Sequence, residues 1–258
     1  MGDYAPINGL QMYFERHGPG DGRPLVMLHG NLSTIEVDFG GLIPALSKRR
    51  PIIAVEQQAH GHTADIDRPL SVANWTADTA ALLEHLGVRE ADVLGYSSGA
   101  ATALNLAIER PDLVARLVLF SPAYRTNDLH PKLLDGIADL TPEMLAGSPF
   151  EASYARTAPN PSDWPRLVAK IVEMDSENIE WSAETVAAIG RPALLVIGDS
   201  DIIRPEHAVD LFRLFGGGVI GDLVGLPASR LAVLPGTTHI TLPQRHDLLI
   251  PMIEEFLG

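Results

Sequence analysis

The segment "DVLGYSSGA", residues 92–100, sets Gly95-Tyr96-Ser97-Ser98-Gly99 between an apolar run and a helix-like run. A serine on a sharp strand-to-helix turn stands exposed above a sheet and meets the first amides of the helix, which suits attack on a carbonyl carbon. Glycines on both sides suit a turn in which backbone packs against backbone. Ser97 is therefore the candidate nucleophile, and Ser98 opens the helix. Such a serine needs a base, and the base needs an orienting carboxylate. "LLVIGDSDIIRP" offers Asp199 and Asp201 after one later apolar run, and "LAVLPGTTHITL" offers His239 after the last. The order Ser, Asp, His is the one that this turn requires of a sheet enzyme. Among the other histidines, His85 falls inside a helical pattern and His246 begins one, so both read as surface or packing residues.

The elements that must carry these groups are legible in the hydropathy. Residues 24–30, 51–57, 91–97, 113–123, 192–199 and 230–236 are short runs rich in Val, Ile and Leu without alternation. Strands apolar on both faces belong in a parallel sheet covered by helices. Helical patterns lie between several of them: Ser71 caps "SVANWTADTAALLEHLG", "GAATALNLAIERP" follows the serine turn, Pro205 opens a helix that ends in glycines, and "QRHDLLIPMIEEFLG" ends the sequence. The reading is a doubly wound, mostly parallel α/β sheet. "NGLQMYFERHG" alternates and reads as an antiparallel edge strand. Between residues 124 and 190 no convincing strand occurs. Thr141-Pro142-Glu143, the capping box Ser148-Pro149-Phe150-Glu151 and "PRLVAKIVEMD" mark helix starts instead. This predicts a core of residues 1–124 and 188–258 with a helical cap inserted at 125–187, leaving from the sheet edge where ligands bind. Of the cap's Phe150, Tyr154, Trp164, Met174 and Trp181, most read as packing between cap and core, with an apolar lid as the alternative. The stretch 215–230 is too glycine-rich for a helix and too long for an ordinary loop.

Composition excludes several roles. With 258 residues the chain is long enough for one substantial domain, and a net charge of -14 without a local Lys/Arg cluster argues against nucleic acid. Without cysteine there is no disulfide, thiolate metal site or cysteine nucleophile. No apolar stretch approaches the ~18 residues of a membrane span, and the start "MGDYAPINGL" has no basic leader and apolar core, so the cytoplasm is the expected location. A homodimer is compatible with the sequence.

The segments "LVMLHGN", "GHGHTADIDRP", "GYSSG", "IGDSDIIRPEHA" and "LPGTTH" together resemble the α/β-hydrolase fold superfamily over nearly the whole chain. The resemblance implies that the acid is the last residue of Gly198-Asp199-Ser200-Asp201, favouring Asp201, with Asp199 left to bond loop amides. It implies an oxyanion hole of the backbone amides of Asn31 and Ser98. His29 reads as structural; His60 and His62 read as turn residues in a loop that departs from the family's pattern. The expected activity is hydrolysis of a small-molecule carboxylic ester through Ser97, His239 and Asp201, with an acyl-enzyme and no metal or organic cofactor. Lactone or macrocyclic-ester hydrolysis, carbon-carbon bond hydrolysis and cofactor-free perhydrolysis share the same residues. A non-catalytic ligand-binding or signalling member of the fold is the alternative outside enzymology.

Overall fold

In the computed structural model, which describes residues 2–177 and 180–258, the apolar runs become the strands of one sheet. In chain order these are β1 (Gly2–Ile7), β2 (Leu10–His17), β3 (Leu25–Leu28), β4 (Ile52–Val55), β5 (Ala91–Tyr96), β6 (Val114–Phe120), β7 (Ala193–Ser200) and β8 (Arg230–Thr238). Their spatial order is β1-β2-β4-β3-β5-β6-β7-β8. From β4 to β8 every pairing is parallel, whereas β2 is antiparallel to both β1 and β4.

The absence of alternation has the expected cause. Along β3, Val26 and Leu28 enter the core on one side of the sheet while Leu25 and Met27 enter the core on the other. Val93 and Leu94 of β5 divide in the same way, as do Leu119 and Phe120 of β6. Successive side chains point to opposite faces, so a strand covered on both sides must be apolar throughout. The first face is covered by α3 (Val72–His85), α4 (Ser98–Glu109), α8 (Ala183–Ala188) and α9 (Pro205–Leu214); the second by α1 (Ile35–Phe39), α2 (Ile43–Leu46) and α11 (His246–Leu257). The Ser71 side chain accepts from the Asn74 amide, so the predicted cap starts α3.

The segment joining β6 to β7 contains α5 (Pro131–Ile137), α6 (Pro149–Thr157) and α7 (Trp164–Ser176). Ser148 caps α6 by accepting from the Glu151 amide, but Glu151 reaches the amide of Gly147 rather than that of Ser148. Pro142 opens only a 3-10 turn, Pro142–Leu145. Tyr154, Trp164, Leu167, Ile171 and Met174 pack with Trp75 and Ala101 of the core in a third apolar cluster. Most of the aromatic residues in this segment are thus packing, as their spacing suggests, while Phe150 faces a cavity.

Three features differ from the sequence reading. At the antiparallel edge the outermost strand is β1, and β2 lies one position inward. Pro6 hides β1 as a strand, yet an edge position tolerates a residue that cannot donate to a ladder. Asn8 and Gly9 both take positive φ, 48° and 89°, joining β1 to β2 as a two-residue hairpin. Residues 215–230 contain a single-turn helix, α10 (Gly221–Val224), with Leu223, Val224 and Leu226 exposed. Among the described residues no helix is long and apolar enough to cross a membrane.

The tightest constraint lies where α4 begins. A Cβ on Gly99 would stand 2.0 Å from the Leu28 carbonyl oxygen, and one on Gly95 2.2 Å from that of Gly99. Neither partner is a flexible side-chain end, so the backbone itself would have to move. Gly99→Ala is expected to lower unfolding free energy by about 3 kcal/mol in urea titrations, the upper range for overpacking. Gly136→Ala on α5, where a Cβ meets nothing, should instead raise it by about 0.5–1 kcal/mol.

Candidate active site

Ser97 sits at the top of the turn between β5 and α4 with φ 55° and ψ -119°. A non-glycine residue there carries strain on the order of 1–3 kcal/mol and needs its surroundings to hold it. The surroundings do so: the Ser97 amide donates to the Phe120 carbonyl at 2.9 Å, and its own carbonyl accepts from Ala100 and Ala101. Its hydroxyl is thereby presented above the sheet.

His239 follows β8 and Asp201 follows β7. These two strands pair with a register shift between Gly198 and Ser200, which bends the end of β7. Ser97 Oγ lies 3.0 Å from His239 Nε2, and His239 Nδ1 lies 2.9 Å from Asp201 Oδ1. Asp201 is fully buried as a side chain. Burial alone would raise its pKa, but hydrogen bonding and charge from His239, with bonds from Ser121 and Gly198, bring it below the ordinary carboxylate value. An ionised carboxylate only accepts, so Nδ1 carries the hydrogen and Nε2 is left to accept from the serine hydroxyl. Asp201 Oδ2 also accepts from Ser121 Oγ at 2.6 Å and from Gly198 N at 3.0 Å, and Oδ1 from Ile202 N at 2.7 Å. Asp199 is placed elsewhere: its carboxylate accepts from the amides of Gly236 and Thr237 at 2.9 and 3.2 Å and does not meet the imidazole.

The segment after β3 is fixed from three sides. Its first histidine, His29, is buried, donating to the Gly30 carbonyl and accepting from the Gln57 amide. Buried Asp38 accepts from Gly30 N and Ser33 Oγ. His60 accepts from the Leu32 amide at 3.0 Å, holding Leu32 at φ 60°. Burial and the neighbouring His29 push the His60 pKa down to about 3, so the imidazole stays neutral and keeps the lone pair that this bond uses. His62 is engaged with Glu56 and lies outside the cavity. Asn31 and Ser98 both line the cavity beside Ser97. Among the described residues neither of their backbone N–H groups has a protein acceptor.

That cavity measures about 250 Å³, just under the ~300–1,000 Å³ of typical small-molecule sites, so it suits a small group. Leu129, Leu140 and Phe150 from the β6–β7 segment, with Ile202 and Ile203 after β7, give it apolar walls. Asp175, near the end of α7, enters the same space and accepts from Asn31 Nδ2 at 2.8 and 3.1 Å. Burial pushes its pKa up to about 6, against the lowering effect of the Asn31 bond.

Several contributors escape a reading of spacing alone. Tyr96 donates from its hydroxyl to the His239 carbonyl at 2.9 Å, with the two rings 5.1 Å apart. It lies inside the serine motif, so its position was in view though its contact was not. Ser121, at φ 49°, directly follows β6, and its place at a strand end is the signal that would have found it. Asp175 gives no such signal, because 144 residues separate it from Asn31.

Comparison with known proteins places this architecture. The family model for the alpha/beta hydrolase fold matches residues 23–246. Human serine hydrolase BPHL is 25% identical, aligned over 97% of this chain and 84% of its own. The enol-lactonase from Burkholderia xenovorans LB400 superposes with a TM-score of 0.73 at 19% identity, covering 98% of this chain and 99% of its own. A serine hydrolase involved in carbazole degradation, CarC, gives a TM-score of 0.78 at 17% identity, covering 100% and 98%. At those identities the structural likenesses speak to the fold; the sequence match extends from before β3 to the start of α11. The chain therefore belongs to the α/β-hydrolase fold family and is a hydrolase of that family.

Proposed function

We propose that the protein hydrolyses small carboxylic esters, with Ser97 as nucleophile, His239 as general base and acid, and Asp201 orienting the imidazole. The observation that carries this reading is the hydrogen-bonded row from Ser97 Oγ through His239 to Asp201, with the carboxylate saturated on its remaining sides. His239 Nε2 takes the hydroxyl proton as Oγ attacks the ester carbonyl, and the imidazolium then protonates the departing alcohol. Water deacylates the enzyme by the same path. The backbone amides of Asn31 and Ser98 serve as the oxyanion hole: they line the cavity without protein acceptors, and Ser98 begins α4, whose N-terminal dipole favours negative charge. Residues 125–187 act as the cap, supplying the small apolar roof through Leu140 and Phe150. Lactones enter by the same chemistry, since their ring opening is an acyl transfer with the leaving alcohol still attached. The enol-lactonase likeness makes them the natural second substrate set to assay.

Hydrolysis of short p-nitrophenyl esters tests the nucleophile. Ser97→Ala should lower kcat at least about 10³-fold, and equal rates for variant and parent protein would overturn the assignment. The acid is tested by a pair of substitutions. Asp201→Asn should cost about 10⁴-fold by removing the acceptor that fixes the imidazole tautomer. Asp199→Asn weakens only a turn that leads to His239 and should stay within about tenfold of the parent. The opposite ordering would move the orienting role to Asp199.

A further inference from the structure

The cavity's polar groups do not match a neutral ester alone. Besides Ser97 and His239, its lining includes two acidic residues, half-buried Asp175 and exposed Glu177. Asp175 meets one hydrogen-bond partner, the neutral Asn31 side chain, and no cation pairs with it among the described residues. The cations nearby are committed elsewhere. Lys170 and Arg166 on the same helix pair with Asp65 at 2.7 and 3.0 Å, and Arg125, which lines the cavity, pairs with Asp128 and lies over the Tyr124 ring. Asn31 Oδ1 adds a further buried acceptor without a partner.

A carboxylate partly drawn out of water without a countercharge is costly, and a cation placed against it recovers part of that cost. We propose that Asp175 is the anionic half of a subsite for a protonated amine, so that the preferred substrates are small esters carrying an ammonium group. The proposal rests on the ester-hydrolase reading of the same site and names its substrate class. An anionic substrate fits badly: it would meet two carboxylates and no uncommitted cation. The chain's net charge of -14 adds a long-range field that gathers cations. Asn31 fixes the geometry, because its side chain holds Asp175 while its main-chain amide belongs to the proposed oxyanion hole. The ammonium group must then lie a short chain from the scissile carbonyl.

Benzyl esters of glycine, 3-aminopropanoate and 6-aminohexanoate, each compared with its uncharged isostere (propanoate, butanoate, heptanoate), measure the effect as a ratio of kcat/KM. The parent protein should prefer the ammonium ester at one chain length or more. Asp175→Asn should lower that ratio about tenfold, the worth of one charge-assisted contact. Because each ratio is taken within one protein, the higher intrinsic reactivity of the charged esters and any effect on the oxyanion loop cancel. Ratios equal in parent and variant at every length would overturn the subsite. A binding arm separates this from failure of the hydrolase reading. In Ser97→Ala, titration calorimetry should give the favoured ammonium ester about tenfold tighter binding than its isostere. Equal or reversed affinity at every chain length refutes the subsite even if no ester is turned over. Absence of turnover with a clear ammonium preference in binding would refute ester hydrolysis alone.

Discussion

One close approach carries the rest of the site. The start of α4 lies so near the end of β3 that a methyl group on Gly99 would meet the Leu28 and His29 carbonyls at 2.0 and 2.6 Å. That contact forces the sharp turn at Ser97, and the strain of its φ of 55° is borne by bonds to β6 and to α4 rather than relaxed. It also brings two chain segments to one spot, the loop after β3 and the first turn of α4. Without small residues at 95 and 99, the helix would ride higher on the sheet and neither segment could line the cavity.

The other half of the site comes from strand ends that the sheet aligns. Parallel pairing from β4 to β8 sends the loops after β3, β5, β6, β7 and β8 to one edge, where an open α/β sheet gathers its ligands. Ser121, Asp201 and His239 each leave a different strand there. Their bonds close a network in which His239 is held at two points: Asp201 holds the imidazole at Nδ1, and Tyr96 holds the residue's backbone carbonyl. Positioning of this kind withstands thermal motion because every anchor is itself on a strand or directly after one.

The helical segment between β6 and β7 has two roles that its residues divide. Tyr154, Trp164 and Met174 bury against Trp75 and hold the segment on the core. Phe150, Leu140 and Asp175 face the cavity. A half-buried carboxylate beside apolar walls and without a countercharge is a costly choice for a residue whose only task is packing, which is why Asp175 bears on specificity.

Pattern and spacing made much of this legible. Unalternating apolar runs marked the six parallel-type strands: β3 to β7 are covered on both faces and have no polar side to show, whereas β8, at the sheet's far edge, is apolar though partly exposed. The serine turn, the two aspartates at the end of β7 and the histidine after β8 could be named because each sits at a strand end that hydropathy marks. The edge strand β1 escaped because Pro6 contradicts a strand everywhere except at an edge, and only the sheet order says where the edge lies. The choice between Asp199 and Asp201 leaned on resemblance, as both lie in one turn of one composition; which carboxylate reaches the imidazole depends on the register shift between β7 and β8. Ser121 stands at a strand end that hydropathy marks, but Asp175 became visible only in three dimensions. Local propensity and hydrophobic pattern act over a few residues and so can be read along the chain, whereas the meeting of Asn31 with Asp175 depends on how a helix 144 residues away packs, which no local pattern encodes.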